Sequence, residues 1–159
     1  MPSAAHQHLL LWVARRMTRD GIVLTGFEGP APYAGVWNRL PPPFSIAGVR
    51  CDASGVVPVT DEIAVGEAKT ADDLATEHSH RQLRVFGGLR DKRSGALCRL
   101  YIAVPRSAVY ELDRALIATG LIGARHVVRL HIPDVLLEES VHVARQTSAR
   151  VAAAPGRWY

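Results

Sequence analysis

The pattern of apolar and polar positions along the chain changes period several times, and each period predicts one kind of secondary structure. Apolar residues three and four apart predict helices, whereas short apolar or alternating runs bounded by Gly, Pro or Asp predict strands. The predicted helices are residues 6–19, 71–89, 107–119 and 133–150. The predicted strands are residues 22–27, 46–51, 62–69, 97–104 and 126–132.

The order of these elements predicts an α/β fold. A helix is followed by three strands joined through short turns, which is typical of a meander, and the later strands alternate with helices, which is typical of crossover connections. We therefore expect a mixed β-sheet flanked by helices, in the order αβββαβ plus a further helix and strand. Residues 28–43 hold five prolines and are predicted to be a loop.

The length of 159 residues fits one domain with a sizeable core. No internal repeat or linker divides the chain, so we expect a single domain over residues 1–150 and a flexible tail over residues 151–159. The hydrophobic content of 48% and charged content of 21% are those of a soluble globular protein. The longest apolar runs, such as residues 9–14, are too short to cross a membrane.

The two cysteines, Cys51 and Cys98, form no metal-binding or redox pair by their spacing. They are predicted to be buried, reduced thiols. The first seven residues lack the basic and long apolar regions of a secretory signal. We therefore expect a cytoplasmic protein with no membrane partner.

The net charge of +4 conceals an asymmetry between the two halves of the chain. Residues 1–80 carry six Arg and Lys against nine Asp and Glu, whereas residues 81–159 carry thirteen against six. An acidic half beside a basic half fits a protein whose carboxylates form a site while arginines meet a polyanion. A solvated basic surface explains the charge equally well at this point.

Lysine is rare in this chain. Of its nineteen basic residues seventeen are arginine, and only Lys69 and Lys92 are lysine. An ammonium group can lose its proton or point at a single oxygen, which a guanidinium cannot do. Lys92 lies in a polar stretch that resembles a turn, whereas Lys69 ends an apolar strand, so Lys69 is the lysine that suggests chemistry.

Two carboxylates are predicted to lie near Lys69. Side chains alternate along a strand, so Glu67 and Lys69 share one face. Pairing of the second and third strands through a turn at residues 54–61 would bring Asp52 close to Glu67. Two hard oxygen ligands completed by a substrate phosphate suit Mg²⁺.

The run Asp52, a spacer, then Glu67-Ala68-Lys69 resembles the PD-(D/E)xK nuclease superfamily. The predicted order of elements over residues 6–132 is similar to the restriction-endonuclease-like core of that superfamily, and the short chain resembles its small Holliday-junction-resolvase-like members. The resemblance implies that Asp52, Glu67 and the Ala68 main-chain carbonyl bind Mg²⁺, with Mn²⁺ as a substitute. It also implies that Lys69 serves the attacking water.

Further residues follow from the same resemblance. Gln82, in a Gln-x-x-x-Phe run on the next helix, is similar to a pattern of RecB-like members and is expected to face the site, while Arg81 and Arg84 are expected to contact phosphates. The first helix lacks the acid that many members carry there, and Glu28 is a candidate replacement.

Each of these motifs also has a structural interpretation. Glu67 and Lys69 could form an exposed ion pair on a solvated sheet face. The histidines at 6, 8, 78 and 80 are interpreted as solvated surface residues, because positions two apart on a helix do not face each other.

The sequence therefore predicts a Mg²⁺-dependent DNA endonuclease with Asp52, Glu67, Lys69 and Gln82 as its catalytic residues, acting as a homodimer. The alternative prediction is a nuclease-fold subunit with little activity of its own that binds DNA or assembles a larger DNA-processing complex.

Overall fold

The computed structural model describes residues 2–138, and a five-stranded mixed sheet forms its centre. The strands are β1 (Val23–Phe27), β2 (Ser45–Ile46), β3 (Val49–Arg50), β4 (Ala53–Val56), β5 (Ile63–Ala68), β6 (Arg99–Pro105) and β7 (Val127–Ile132). The sheet order is β1-β4-β5-β6-β7, while β2 and β3 form a separate small hairpin. The pairs β1–β4 and β4–β5 are antiparallel, and β5–β6 and β6–β7 are parallel.

Helices cover both faces of this sheet. They are α1 (Ala4–Arg19), α2 (Ala71–Leu74), α3 (Glu77–Gly87) and α4 (Val109–Ala118), with short 3₁₀ helices at Gly35–Arg39 and Arg106–Ala108. The mixed α/β fold predicted from the sequence is confirmed. Within residues 2–138, no helix combines the length and the hydropathy that a membrane span requires.

Alternation along the central strands divides the core into two parts. On β6, Tyr101 and Ala103 face α1, whereas Leu100, Ile102 and Val104 face the other side, where α2, α3 and α4 pack. Because all five of these residues are fully buried, β6 is apolar along its whole length, as a strand covered on both faces must be.

Small residues on β5 let α1 approach the sheet closely. Ala64, Gly66 and Ala68 alternate on the face that α1 covers. A methyl group at Gly66 would overlap Val13 and stand 3.0 Å from the Met17 sulfur. The helix thus lies directly against the strand that carries Glu67, and its first turn reaches the end of that strand.

The prediction for the second strand was wrong. Residues 46–51 were expected to be one strand, but they divide between the hairpin strands β2 and β3, and the strand that joins the sheet is β4. Val49 of the hairpin and Cys51 directly after it are buried in one hydrophobic cluster with Leu83 and Phe86 of α3. The turn expected at residues 54–61 begins only after β4 ends at Val56.

The long helix predicted over residues 71–89 was also wrong in part. It is two helices, α2 and α3, because Thr76 caps a new helix by accepting a hydrogen bond from the Ser79 N–H at 3.1 Å. The helix predicted at residues 133–150 is helical over residues 134–138, and the rest of it lies outside the described residues. The expected tail at residues 151–159 lies outside them as well.

Candidate active site

Asp52 lies at the start of β4, opposite the end of β5. The antiparallel register pairs Ala53 with Gly66, and the Asp52 N–H donates to the Gly66 carbonyl at 3.1 Å. The Ala68 N–H donates to Asp52 Oδ2 at 2.8 Å. Asp52 therefore precedes its sheet strand instead of following it as predicted, but the β4–β5 pairing still brings it to Glu67.

Glu67 is completely buried on the face of β5 opposite α1. Burial, followed by the charge of Asp52, raises the pKa of Glu67 to about 8. Neither carboxylate oxygen has a hydrogen-bond partner among the described residues. A buried carboxylate without hydrogen bonds is costly, so its burial needs a compensating cation.

Lys69 provides one such cation. Its Nζ lies 3.0 Å from Glu67 Oε2, an ion pair by distance that lacks hydrogen-bond geometry. Both side chains are buried, so the interpretation of Glu67 and Lys69 as an exposed surface pair was wrong. Two residues apart on an extended strand, they point to the same face as predicted.

Gln82 fixes the position of the Lys69 ammonium. It projects from α3 and is buried, and its Oε1 accepts a hydrogen bond from Lys69 Nζ. Its Nε2 donates to the Arg50 carbonyl at 2.9 Å. Because both ends of the amide are engaged within the protein, Gln82 orients Lys69 and is itself anchored to the β2–β3 hairpin.

His6 is a site residue that the sequence reasoning missed. Its Nε2 lies 3.6 Å from Asp52 Oδ1, and the side chains are only 18% and 14% exposed. Burial lowers the pKa of His6, but the hydrogen bond and charge of Asp52 outweigh burial, so the pKa is raised. His6 is half-buried and His8 is buried, so the interpretation of these two histidines as solvated was wrong. His78 is exposed, whereas His80 is half-buried with its Nε2 3.0 Å from the Leu74 carbonyl oxygen.

His6, Asp52, Lys69 and Gln82 line an open cleft of about 610 Å³, which we call the Asp52 cleft. Glu67 is fully buried next to Lys69 and is not among the lining residues. The cleft brings together one end of α1, the ends of β4 and β5, and α2 and α3. Its lining residues are Pro2, Ser3, His6, Asp52, Lys69, Thr70, Asp73, Thr76, His78, Ser79 and Gln82.

Glu28 lies in an adjoining cleft of about 420 Å³ that shares Asp52 and His78 with the Asp52 cleft. One carboxylate oxygen of Glu28 pairs with Arg50 at 3.0 Å, and the other is buried without a hydrogen-bond partner among the described residues. Its main-chain N–H donates to the Asp52 carbonyl at 2.9 Å. Glu28 thus lies beside Asp52 but outside the cleft that Lys69 lines.

Arg81 and Arg84 do not line either cleft. Arg81 donates to the Ala47 carbonyl at 2.6 Å, and Arg84 pairs with Glu77 at 3.0 Å. On an α-helix, residues one or two positions from Gln82 point well away from it, because each residue turns the helix by about 100°. Both arginines are exposed on the outer faces of α3.

Both cysteines are free and buried, as predicted. Cys51 directly precedes Asp52, and burial, followed by the nearby charges of Glu67 and Asp52, raises the pKa of its thiol. A thiol in such surroundings stays protonated and unreactive. Cys51 therefore contributes to packing beside the site and is not a nucleophile.

The donor set of the cleft fits a hard divalent cation. Glu67 offers a buried oxygen with no partner in the described chain, and Asp52 adds a second carboxylate. A residue of an extended strand turns its N–H and C=O to the same edge, so the Ala68 carbonyl faces the Asp52 side as well. Within residues 2–138 no three His, Cys, Asp or Glu side chains group as a metal site by themselves. Mg²⁺ commonly binds through one or two carboxylates and completes its shell with water and substrate phosphate.

No family model and no curated protein matches this chain. A search of solved structures finds a crystal structure of a repair endonuclease from Pyrococcus abyssi, with a TM-score of 0.42 and 16% identity. The superposition covers 84% of this chain and 48% of the endonuclease chain.

Proposed function

We propose that this protein is a Mg²⁺-dependent DNA endonuclease that hydrolyses phosphodiester bonds in the Asp52 cleft. The observation that carries the proposal is the fully buried Glu67 carboxylate, which has no hydrogen-bond partner in the described chain and lies beside the buried Lys69 ammonium and Asp52. The Lys69 ammonium compensates the charge of Glu67 in part, and a bound divalent cation would supply the ligand bonds that its buried oxygens lack.

In this proposal Asp52, Glu67 and the Ala68 carbonyl hold the metal ion, and Mn²⁺ can substitute for Mg²⁺. A divalent ion bound there would polarise the scissile phosphate and neutralise the charge that develops on it. The hydrogen bond from the Ala68 N–H to Asp52 fixes one carboxylate oxygen. His6 approaches the other oxygen from α1 and keeps this carboxylate turned toward the cleft.

Lys69 serves the attacking water or the phosphoryl oxygens. Its ammonium lies between Glu67 and Gln82 at the wall of the cleft, so its position is set before substrate arrives. A preorganised charge of this kind stabilises a transition state without reorganisation during the reaction. A planar guanidinium does not fit this role, because it forks toward two oxygens and stays charged.

The charge of the chain and the symmetry of duplex DNA suggest the substrate and the oligomeric state. The basic second half of the chain favours a polyanion, and we propose DNA as that substrate. Cutting both strands of a duplex requires two equivalent sites, which a homodimer supplies. We also propose a cytoplasmic location, with which the two free thiols are compatible.

A second candidate function is a nuclease-fold subunit that binds DNA or assembles a larger complex and cleaves weakly or not at all. Two observations favour it. Helix α1 carries no Asp or Glu, and no three metal-ligating side chains group together within residues 2–138. A site with few protein ligands binds metal less tightly, so the subunit would keep DNA affinity while losing activity.

Cleavage of a substrate panel tests the proposal. Supercoiled plasmid, linear duplex, single strand and four-way junction are incubated with Mg²⁺, Mn²⁺ or EDTA. We expect metal-dependent cutting that Glu67→Gln and Lys69→Met each reduce by at least about a hundredfold. The matched controls are Asp72→Asn, an exposed carboxylate on α2, and Lys92→Met, the other lysine of the chain.

The outcomes separate the two functions. If Glu67→Gln and Lys69→Met both still cut DNA as the parent does, the assignment of the active site is wrong. A folded protein that binds DNA but cuts nothing under either metal would favour the non-catalytic subunit.

A further inference from the structure

A second concave surface lies along the other half of α1, at the edge of the sheet. It has a volume of about 340 Å³ and lies between α1 and the edge strand β7. We call it the arginine groove. Its lining residues are Trp12, Arg15, Arg16, Arg19, Arg129, Leu130, His131 and Ile132. It shares no residue with the Asp52 cleft.

The groove has more positive than negative charge. Arg16 pairs with Asp20 at 3.1 Å, and Arg129 pairs with Asp113 at 2.6 Å. The other two arginines have no carboxylate partner among the described residues. Four guanidinium groups therefore meet two carboxylates, and the surplus faces solvent.

Neither of the two unpaired arginines has to break an ion pair with a described residue before it binds a ligand. Arg15 is exposed and lies over the Trp12 ring, 5.3 Å from its centroid, which restricts the guanidinium to the wall of the groove. Arg19 is exposed and makes no hydrogen bond or ion pair with any described residue. Arg129 also retains a buried Nε without a hydrogen-bond partner among them.

Helix stability explains only part of this arrangement. Basic residues in the last turn of a helix interact favourably with its dipole, and Arg16 and Arg19 occupy that turn of α1. Arg15 lies before it, and Arg129 comes from a strand. Arginines that converge from two separate elements on one concavity form a surface for an anion.

We propose that the arginine groove binds the phosphodiester backbone of DNA, as a contact separate from the Asp52 cleft. The identity of the polyanion rests on the proposed function. Four residues of α-helix rise about 6 Å, so Arg15 and Arg19 are spaced close to two base steps of a strand. From His6 to Arg16 the helix rises about 15 Å, so one rigid element would join the cleft to a contact about four base steps away.

The experiment measures binding without cleavage. A fluorescein-labelled duplex of about 20 base pairs is titrated with the full-length protein in EDTA, and anisotropy is followed over a range of KCl concentrations. The test variant is Arg15→Gln with Arg19→Gln. The control is Arg114→Gln with Arg125→Gln, which removes the same charge from exposed arginines outside the groove.

The groove variant is expected to bind at least about tenfold more weakly than the control. Its slope of log K against log[KCl] should be smaller by about 1.8, which is the loss of two phosphate contacts on duplex DNA. Equal affinity and equal slope for the two variants would overturn the proposal, as would a wild-type protein that does not bind the duplex. Displacement of the duplex by poly-glutamate as effectively as by unlabelled DNA would also overturn it in favour of an acidic protein partner.

The readout separates this inference from the proposed function. If no substrate is cut but the groove variant binds the duplex more weakly than the control, the nuclease proposal fails and the proposal that the arginine groove binds DNA is supported. If DNA is cut but the groove variant binds like the control, the nuclease stands and the groove fails. Should the double variant not fold, Arg19→Gln alone is the test, because that side chain has no hydrogen bond or ion pair within residues 2–138 to lose.

Discussion

At the scale of single residues, the Lys69 ammonium is the most constrained group of the cleft. The Nζ of Lys69 lies between the Glu67 and Gln82 side chains, and the main-chain N–H of Lys69 donates to the Ala103 carbonyl at 3.0 Å. A long flexible side chain loses about 2 kcal/mol of rotamer entropy when it is held in this way. This entropy cost is expected at a position where the exact location of the charge is important for function and its contribution to folding stability is secondary.

Gln82 is therefore expected to matter for rate more than for metal binding. Gln82→Met keeps the length of the side chain but removes the acceptor of Lys69 and the donor to the Arg50 carbonyl. We expect the single-turnover cleavage rate to fall about 10–100-fold with little change in the Mg²⁺ concentration for half-maximal rate. Gln7→Met, an exchange on α1 outside the Asp52 cleft, is the control. A large shift in the metal requirement would contradict the role given to Gln82.

Some residues of the cleft could be predicted from the local sequence pattern, and others depend on how distant elements pack. The shared face of Glu67 and Lys69 follows from strand alternation alone, so the sequence could predict it. The position of Gln82 was predicted from the resemblance to RecB-like members, and Gln82 does line the cleft. The approach of His6 to Asp52 depends on how α1 docks across the sheet, which no local pattern encodes. From the sequence alone, the polar residues at the start of α1 are predicted to be exposed, because their contact with Asp52 cannot be deduced.

At the scale of elements, the segment after Lys69 is held by a reciprocal cap. The Thr70 N–H donates to Asp73 Oδ2 at 3.0 Å, and the Asp73 N–H donates to Thr70 Oγ1 at 3.4 Å. Such a capping box satisfies two main-chain groups that a helix otherwise leaves unpaired. Because α2 has only four residues, this cap contributes much of what stabilises the helix that follows Lys69 at the wall of the Asp52 cleft.

The contribution of this cap depends on pH. Burial raises the pKa of Asp73, but the hydrogen bonds from the Thr70 N–H and hydroxyl outweigh burial and lower it below the ordinary 3.8. A lowered pKa contributes stability above the unfolded value, and that stability is lost as pH falls through the folded value. Asp73→Ala is expected to cost about 0.5–1 kcal/mol at pH 7, and the difference from the parent should shrink below pH 3.8.

Urea unfolding at pH 7 and at pH 3 measures this difference. Asp72→Ala, at an exposed neighbouring acid outside the capping box, is the control and should have a smaller effect at both values. A constant difference for Asp73→Ala across the pH range would show that its carboxylate charge is not what stabilises α2.

Strand β4 shows why one element was missed. Its sequence Ala-Ser-Gly-Val has little intrinsic preference for a strand, and it becomes one because β1 and β5 pair with it on both sides. The more strand-like residues 46–51 lie just before it and form the hairpin. Tertiary pairing overrode propensity here, while the strongly apolar β6 and the amphipathic α1 and α4 were predicted within a few residues of their observed bounds.

At the scale of the whole molecule, α1 joins the Asp52 cleft and the arginine groove. Its first turn carries His6 to the Asp52 cleft, and its last turns carry arginines to the arginine groove. The Tyr101 hydroxyl donates to Asp20 Oδ2 at 3.0 Å and ties the end of α1 to the central strand β6. The distance and angle of α1 to the sheet therefore set the geometry of both surfaces.

Gly66→Ala tests this packing. Alanine is normally tolerated at least as well as glycine in a strand, but here its methyl would overlap Val13 and crowd Met17. We expect a loss of about 1–3 kcal/mol in the free energy of unfolding, measured by urea denaturation. Val13→Ala in the same background should recover part of the loss, so that the double variant is more stable than the sum of the single effects. A simple additive result would place the strain elsewhere.

The β4–β5 hairpin carries one more consequence. Asp52 and Glu67 are held together by main-chain bonds at one end of the hairpin, whereas the turn over residues 57–62 closes the other end, about 13 Å away. Extra residues inserted in that turn would leave the two carboxylates where they are. The length of the spacer between them is thus open to evolutionary drift, and distant homologues should be sought by matching two short segments across a gap of variable length. Related proteins can therefore carry longer loops at this turn without a change in the positions of the two carboxylates.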